Sequence, residues 1–292
     1  MAINNPGTPL IQQGWLRAVI FCAAIILANI LAGELMGTAL RLSGNETVAQ
    51  NLEMLSLVGI LVTVVISIVL AVVFRLFIDR KPLISLGFDR LDEHRLEPLA
   101  GLLLSVVLMG LGALILHFAG LLRWVDMRFD GADFFIQLVL MLLVAVSEEM
   151  VFRGYLLNNL MESFNKQAAL AASAGLFTLA HIFNPEITPI GIANIFLGGA
   201  LLGINFLYTR SLWFSIGLHF GWNFIQGYVL GFPVSGYAAP TLLQQELNGH
   251  PVLTGGAFGV EGSIVTTGLL IAGIVLLYFA YERKYAALKQ AI

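Results

Sequence analysis

The chain has 292 residues, 58% of them hydrophobic and only 11% charged, with 15 Lys and Arg against 18 Asp and Glu. Soluble domains carry about one quarter charged residues, so this composition and a mean hydropathy of +0.88 exclude a water-soluble globular protein, and no nucleic-acid partner is expected. The informative unit is the apolar run of ~20 residues that crosses a bilayer.

Eight runs come close to that length. The first extends from Arg17 to Leu40 and the second from Leu55 to Phe74, which carries no charge. The third covers Pro98 to Leu122, the fourth Phe134 to Asn158, and the shorter fifth Ala168 to Phe183, where the Asn184-Pro185 turn stops it. The sixth spans Ile190 to Tyr208, the seventh Leu212 to Phe232 and the eighth Ile264 to Tyr281. No run alternates with period two, which argues against a transmembrane barrel. The predicted fold class is all-α, a polytopic integral membrane protein with about eight transmembrane helices.

The first sixteen residues are polar, the first apolar run is long, and no small-residue cleavage site closes it. Helix one is therefore expected to remain as an anchor rather than to be cleaved. Positive residues favour the cytoplasmic side of short loops. With eight crossings, Arg17, Arg75, Arg80, Lys81, Arg90, Arg95, Arg153, Lys166, Arg210, Arg283, Lys284 and Lys289 fall at or toward one side, leaving Arg41, Arg123 and Arg128 on the other. Both termini are expected in the cytoplasm.

Residues 79 to 97 read as a solvated connection of mixed charge, and 233 to 262, rich in Gly and Pro, as a long external loop of turns. The only cysteine, Cys22, lies inside helix one, which leaves no disulfide framework and no CxxC site. His117 on helix three is read as a packing histidine.

The fourth run contains AVSEEMVFRGYLL, residues 145 to 157, which sets two glutamates and an arginine in an apolar segment. A charge at mid-bilayer costs at least ~2.5 kcal/mol, so such groups usually face a partner or a cavity. Glu149 and Arg153, four apart, share a helix face and can pair. That pair could serve structure alone. Glu148 lies about 100° around the helix and needs another partner, which makes it a carboxyl placed to exchange protons. Phe177 and His181 are four apart on helix five, as are His219 and Asn223 on helix seven. Together these groups could line one polar cavity. A carboxylate can take a proton from water, a histidine can hold that water, and an imidazole and a carboxamide can stabilise an oxyanion. His181 falls near the outer end of helix five while Glu148 and His219 fall near mid-membrane, so helix five is expected to tilt or to enter deeper than its length suggests.

The ordered set EExxxR, FxxxH and HxxxN resembles the CAAX prenyl protease type II and bacteriocin-processing (CPBP, ABI) family of intramembrane proteases. The resemblance covers helices four to seven and divides the chain into residues 1–133 (helices one to three), 134–232 (a CPBP-like catalytic core) and 233–292 (loop and helix eight). It implies an endopeptidase in which Glu148 activates water with help from His181, His219 and Asn223 stabilise the oxyanion, and Glu149 and Arg153 shape the site. The GGAFGVEGS stretch before helix eight is also similar to bacterial members.

No cofactor is the first expectation. Zinc is the alternative, with Glu148, His181 and His219 supplying the donor types of a catalytic site, although no HExxH is present. The expected partners are a membrane-associated peptide or protein substrate and the lipid bilayer, and the expected location is a bacterial inner membrane. The substrate need not be prenylated. Two other classes use the same residues: a catalytically idle scaffold or bacteriocin-immunity protein, and a proton-coupled transporter, against which stands the lack of paired broken helices in two related halves.

Overall fold

A computed structural model describes residues 7–43, 52–88 and 94–290. Arg90, counted above with the cytoplasmic charges, lies outside the described residues, as does the side chain of Lys289. Eight long helical segments follow one another: α1 (Gly14–Ser43), α2 (Leu52–Val73, continued by a π turn at Phe74–Ile78) and α3 (Glu97–Phe118); then α4 (Gly131–Glu149, continued by a π segment at Met150–Leu157 and a last turn at Asn158–Leu160); then α5 (Lys166–His181), α6 (Pro189–Thr209), α7 (Trp213–Phe224, with a π turn at Ile225–Val229) and α8 (Ile264–Gln290). This is an all-α membrane fold.

Six helices among the described residues are long and apolar enough to cross a membrane, namely α1, α2, α3, α4, α6 and α8. The expected count of eight is therefore met by six. The 16 residues of α5 rise only ~24 Å, short of the ~30 Å hydrocarbon core, and α7 is of similar length. α7 is largely buried, whereas α5 buries one face, with Ser173, Phe177 and Thr178, and leaves Leu179 on the outside. On the outside the chemistry inverts, and large apolar side chains such as Leu35, Phe118 and Leu276 point outward, as a lipid-facing surface requires.

Local signals fix the helix ends. Asp130 caps α4 by accepting from the Ala132 and Asp133 amides at 2.8 and 3.1 Å. The Asp133 amide, then that of Ala132, holds the Asp130 carboxyl below the usual carboxylate range. Asn165 caps α5 and Thr188 caps α6, which starts with Pro189.

The α3–α7 crossing is close because both backbones are bare where they meet. A Cβ on Gly217 would lie 2.0 Å from the Pro98 carbonyl oxygen, and one on Gly101 2.2 Å from that of Phe214. Small residues let membrane helices approach in this way. Gly217→Ala should therefore push the helices apart and destabilise the protein by about 2–3 kcal/mol, read as a lowered thermal midpoint in detergent; an unchanged midpoint would refute the contact.

The predicted third helix ends early, at Phe118, because Gly120 turns the chain at φ 74°. Leu122–Met127 becomes strand β1, paired antiparallel with β2 (Leu243–Leu247), with a bulge between Trp124 and Asp126. The 233–262 segment is accordingly more built than a run of turns. Phe258 and Val260 are buried, and the Glu261 carboxylate accepts from the Trp222 indole (3.0 Å) and the Ser235 amide (2.6 Å). His117 packs as expected, donating from Nδ1 to the Leu122 carbonyl at 3.1 Å and stacking on Trp124.

Candidate functional site

Glu148 and Glu149 are the last two residues of regular α-helix in α4 before the π segment begins at Met150. π segments are rare and concentrate at functional sites. Glu149 is fully buried. Its Oε1 accepts from Arg153 Nη1 at 2.8 Å and from His219 Nδ1 at 2.7 Å. Arg153 is also buried, donates from Nη2 to the Gly199 carbonyl at 2.8 Å and lies 4.8 Å from the centre of the Phe177 ring. The expected Glu149–Arg153 pair is formed, with His219 added to it.

Glu148 is the more open carboxylate, with 28% of its side chain exposed. Its Oε2 lies 3.8 Å from His219 Nε2 and 3.9 Å from His181 Nε2, and among the described residues no group donates to it. The tautomers follow from the other ring nitrogens. His181 Nδ1 sits 2.7 Å from the Phe177 carbonyl, which can only accept, so Nδ1 carries the proton. His219 Nδ1 likewise donates to Glu149. With Nδ1 so engaged, each ring turns its Nε2 toward Glu148, an acceptor in the neutral ring and a donor in the imidazolium. Glu148 Oε2 and the two Nε2 atoms converge, and among the described residues Glu148 Oε2 has no hydrogen-bond partner, an arrangement that a bridging water fits.

His181 is brought to Glu148 by the direction of its side chain. Helical side chains lean toward the N-terminus, and the bond to Phe177 carries the His181 ring back over the preceding turn. The last residue of a short helix thus reaches Glu148. Asn223 stands one turn beyond His219 on α7, buried, with no hydrogen bond from its carboxamide to another described residue. It shares a helix with His219 and makes no hydrogen bond to the other five polar groups.

Zinc fits in kind. Glu148, His181 and His219 offer one oxygen and two nitrogen donors, yet their 3.8–3.9 Å separations from Glu148 exceed the roughly 3.3 Å between ligands of a tetrahedral ion bound at ~2.0–2.1 Å. Among the described residues no group of three such side chains is closed to metal-binding geometry. The donors would have to close by about half an ångström to hold zinc.

Two features escaped the sequence. The π segment has no composition signal. The Gly199 carbonyl could have been suspected from the Gly198-Gly199 pair, since a Cβ on Gly199 would lie 3.2 Å from Ala174 Cα and hold α5 and Phe177 away from Arg153.

With that geometry in place, residues 130–225 match the model of the family described as type II CAAX prenyl endopeptidase Rce1-like. No curated protein and no solved structure matches the chain.

Proposed function

We propose that the chain is an intramembrane endopeptidase that cuts a membrane-associated peptide or protein with a water activated by Glu148, a reading supported by the match of residues 130–225, which hold all six polar residues, to the Rce1-like endopeptidase model. The observation that carries it is the convergence of two imidazole Nε2 atoms on Glu148 Oε2, which has no hydrogen-bond partner among the described residues.

Polar atoms separated by more than 3.5 Å are commonly bridged by water. A water bound here would donate to Glu148 and to a histidine at once. Glu148 takes its proton as the oxygen attacks the scissile carbonyl, then returns that proton to the leaving amide nitrogen as the C–N bond breaks. His181, locked by Phe177, orients the water. The developing oxyanion needs donors, and the Asn223 carboxamide supplies one. His219 supplies another as the imidazolium, its Nε2 proton taken from solvent before the substrate binds and kept through the cycle, with the Glu149 carboxylate at 2.7 Å on Nδ1 as counter-charge. Arg153 fixes Glu149 in that position. Zinc, when bound, would supply Lewis-acid activation of the same water at the same three side chains.

The reading extends to a bacterial inner-membrane protein with both termini cytoplasmic and to a substrate that need not be prenylated. The test is cleavage of quenched-fluorescent peptides by detergent-purified protein before and after exhaustive chelation. Activity should persist after chelation. Complete loss restored by added zinc would sink the metal-free mechanism while keeping the protease.

A further inference from the structure

At the opposite end of α4 from its Asp130 cap lies a second buried polar cluster. Asp79, at the end of the α2 π turn, is fully buried and accepts four hydrogen bonds. Oδ1 takes Arg17 Nη1 at 3.0 Å and the Tyr155 hydroxyl at 3.1 Å; Oδ2 takes Arg75 Nη1 at 2.9 Å and Asn159 Nδ2 at 3.2 Å. Arg17 and Arg75 are themselves buried, and the rest of the Arg75 guanidinium is held by Ser85, through its hydroxyl at 2.8 Å and its carbonyl at 2.6 Å. Arg17 comes from α1, Asp79 and Arg75 from the end of α2, and Tyr155 and Asn159 from the helix that carries the two glutamates.

Joining α1, α2 and α4 would by itself be a structural task, which apolar packing already serves, since the Tyr155 ring sits 4.1 Å from that of Phe21 and 5.9 Å from that of Phe74. The polar cluster adds direction. Glu148 and Glu149 precede the π segment, while Tyr155 lies within it and Asn159 just past it. A π segment changes the angular relation between the helix before it and the helix after it, and relaxation to regular α geometry by one residue would turn one part against the other by about 100°. A pin on the far side is what holds that relation. We propose that Asp79 is a positioning residue for the site: through Tyr155 and Asn159 it fixes the rotation of the π segment, and so the direction in which Glu149 meets His219 and Glu148 faces the two Nε2 atoms.

The kinetic part of this inference rests on the endopeptidase reading, and the experiment separates the two. Asp79→Asn removes the carboxylate that faces the buried Arg75 and leaves Arg17 with Glu162 alone, a change that threatens folding by itself, so Tyr155→Phe carries the test: it deletes the hydroxyl and keeps the ring packing. The first readout is ¹⁵N-histidine NMR of the folded protein in micelles, following the Nδ1 proton that His219 gives to Glu149. The second is the split of kcat and KM on a cleaved peptide. Tyr155→Phe should shift or broaden the His219 signal and lower kcat about tenfold with KM held within about twofold, the signature of misplaced reacting groups. A wild-type His219 signal in the folded variant would overturn the positioning role, whatever the kinetics. A displaced signal in a protein that cuts no peptide would uphold it and count against the protease reading alone.

Discussion

Glu148→Gln should lower kcat/KM for peptide cleavage by about 10³-fold or more while leaving the fold intact, because a general base contributes about 10²–10⁴ and the amide cannot take a proton from water. The amide matches the carboxylate in size and keeps hydrogen-bonding capacity, and among the described residues Glu148 Oε2 has no hydrogen-bond partner to lose. The thermal midpoint should therefore stay close to wild type, and lost activity with retained stability separates chemistry from folding. A variant that cuts peptides at the wild-type rate would remove Glu148 from the mechanism. A scaffold would keep its cellular phenotype after this change, and a transporter would lose solute movement in proteoliposomes.

Arg153→Ala should act in the opposite way, on stability first. The guanidinium is buried, bonded to Glu149 at 2.8 Å and to the Gly199 carbonyl at 2.8 Å, and stacked on Phe177. Its removal leaves the fully buried Glu149 facing His219 without its cation. Breaking a buried pair by deleting one partner costs about 3–5 kcal/mol, which should appear as a large fall in thermal midpoint in detergent, with cleavage lost along with it. Arg153→Lys keeps the charge yet cannot span Glu149 and Gly199 with a planar fork, so partial recovery is expected. A thermal midpoint equal to wild type in Arg153→Ala would show that the pair does not hold the site.

Much of this was legible in the sequence, for identifiable reasons. Charged residues stand out in apolar runs, so Glu148, Glu149 and Arg153 were visible, and spacing of four placed Arg153 against Glu149. Helical leaning brings His181 to Glu148 from the end of a short helix, which a count of residues along the bilayer normal does not convey. The role of Asp79 was hidden because it sits in what reads as a solvated mixed-charge connection, and its partners Arg17, Tyr155 and Asn159 lie 62 to 80 positions away. The β1–β2 pair was hidden for a related cause: LRWVDM and LQQEL are short and separated by more than a hundred residues, so neither is a hairpin signal.

The most direct measurement is mass spectrometry of peptides incubated with purified wild-type protein in lipid nanodiscs, using a broad set that includes membrane-spanning and lipidated members. The account predicts cleavage at a defined bond, with two fragments whose masses sum to the substrate plus one water. Intact peptides throughout, from a folded protein whose cellular phenotype survives Glu148→Gln, would contradict it and leave the scaffold as the function of this fold.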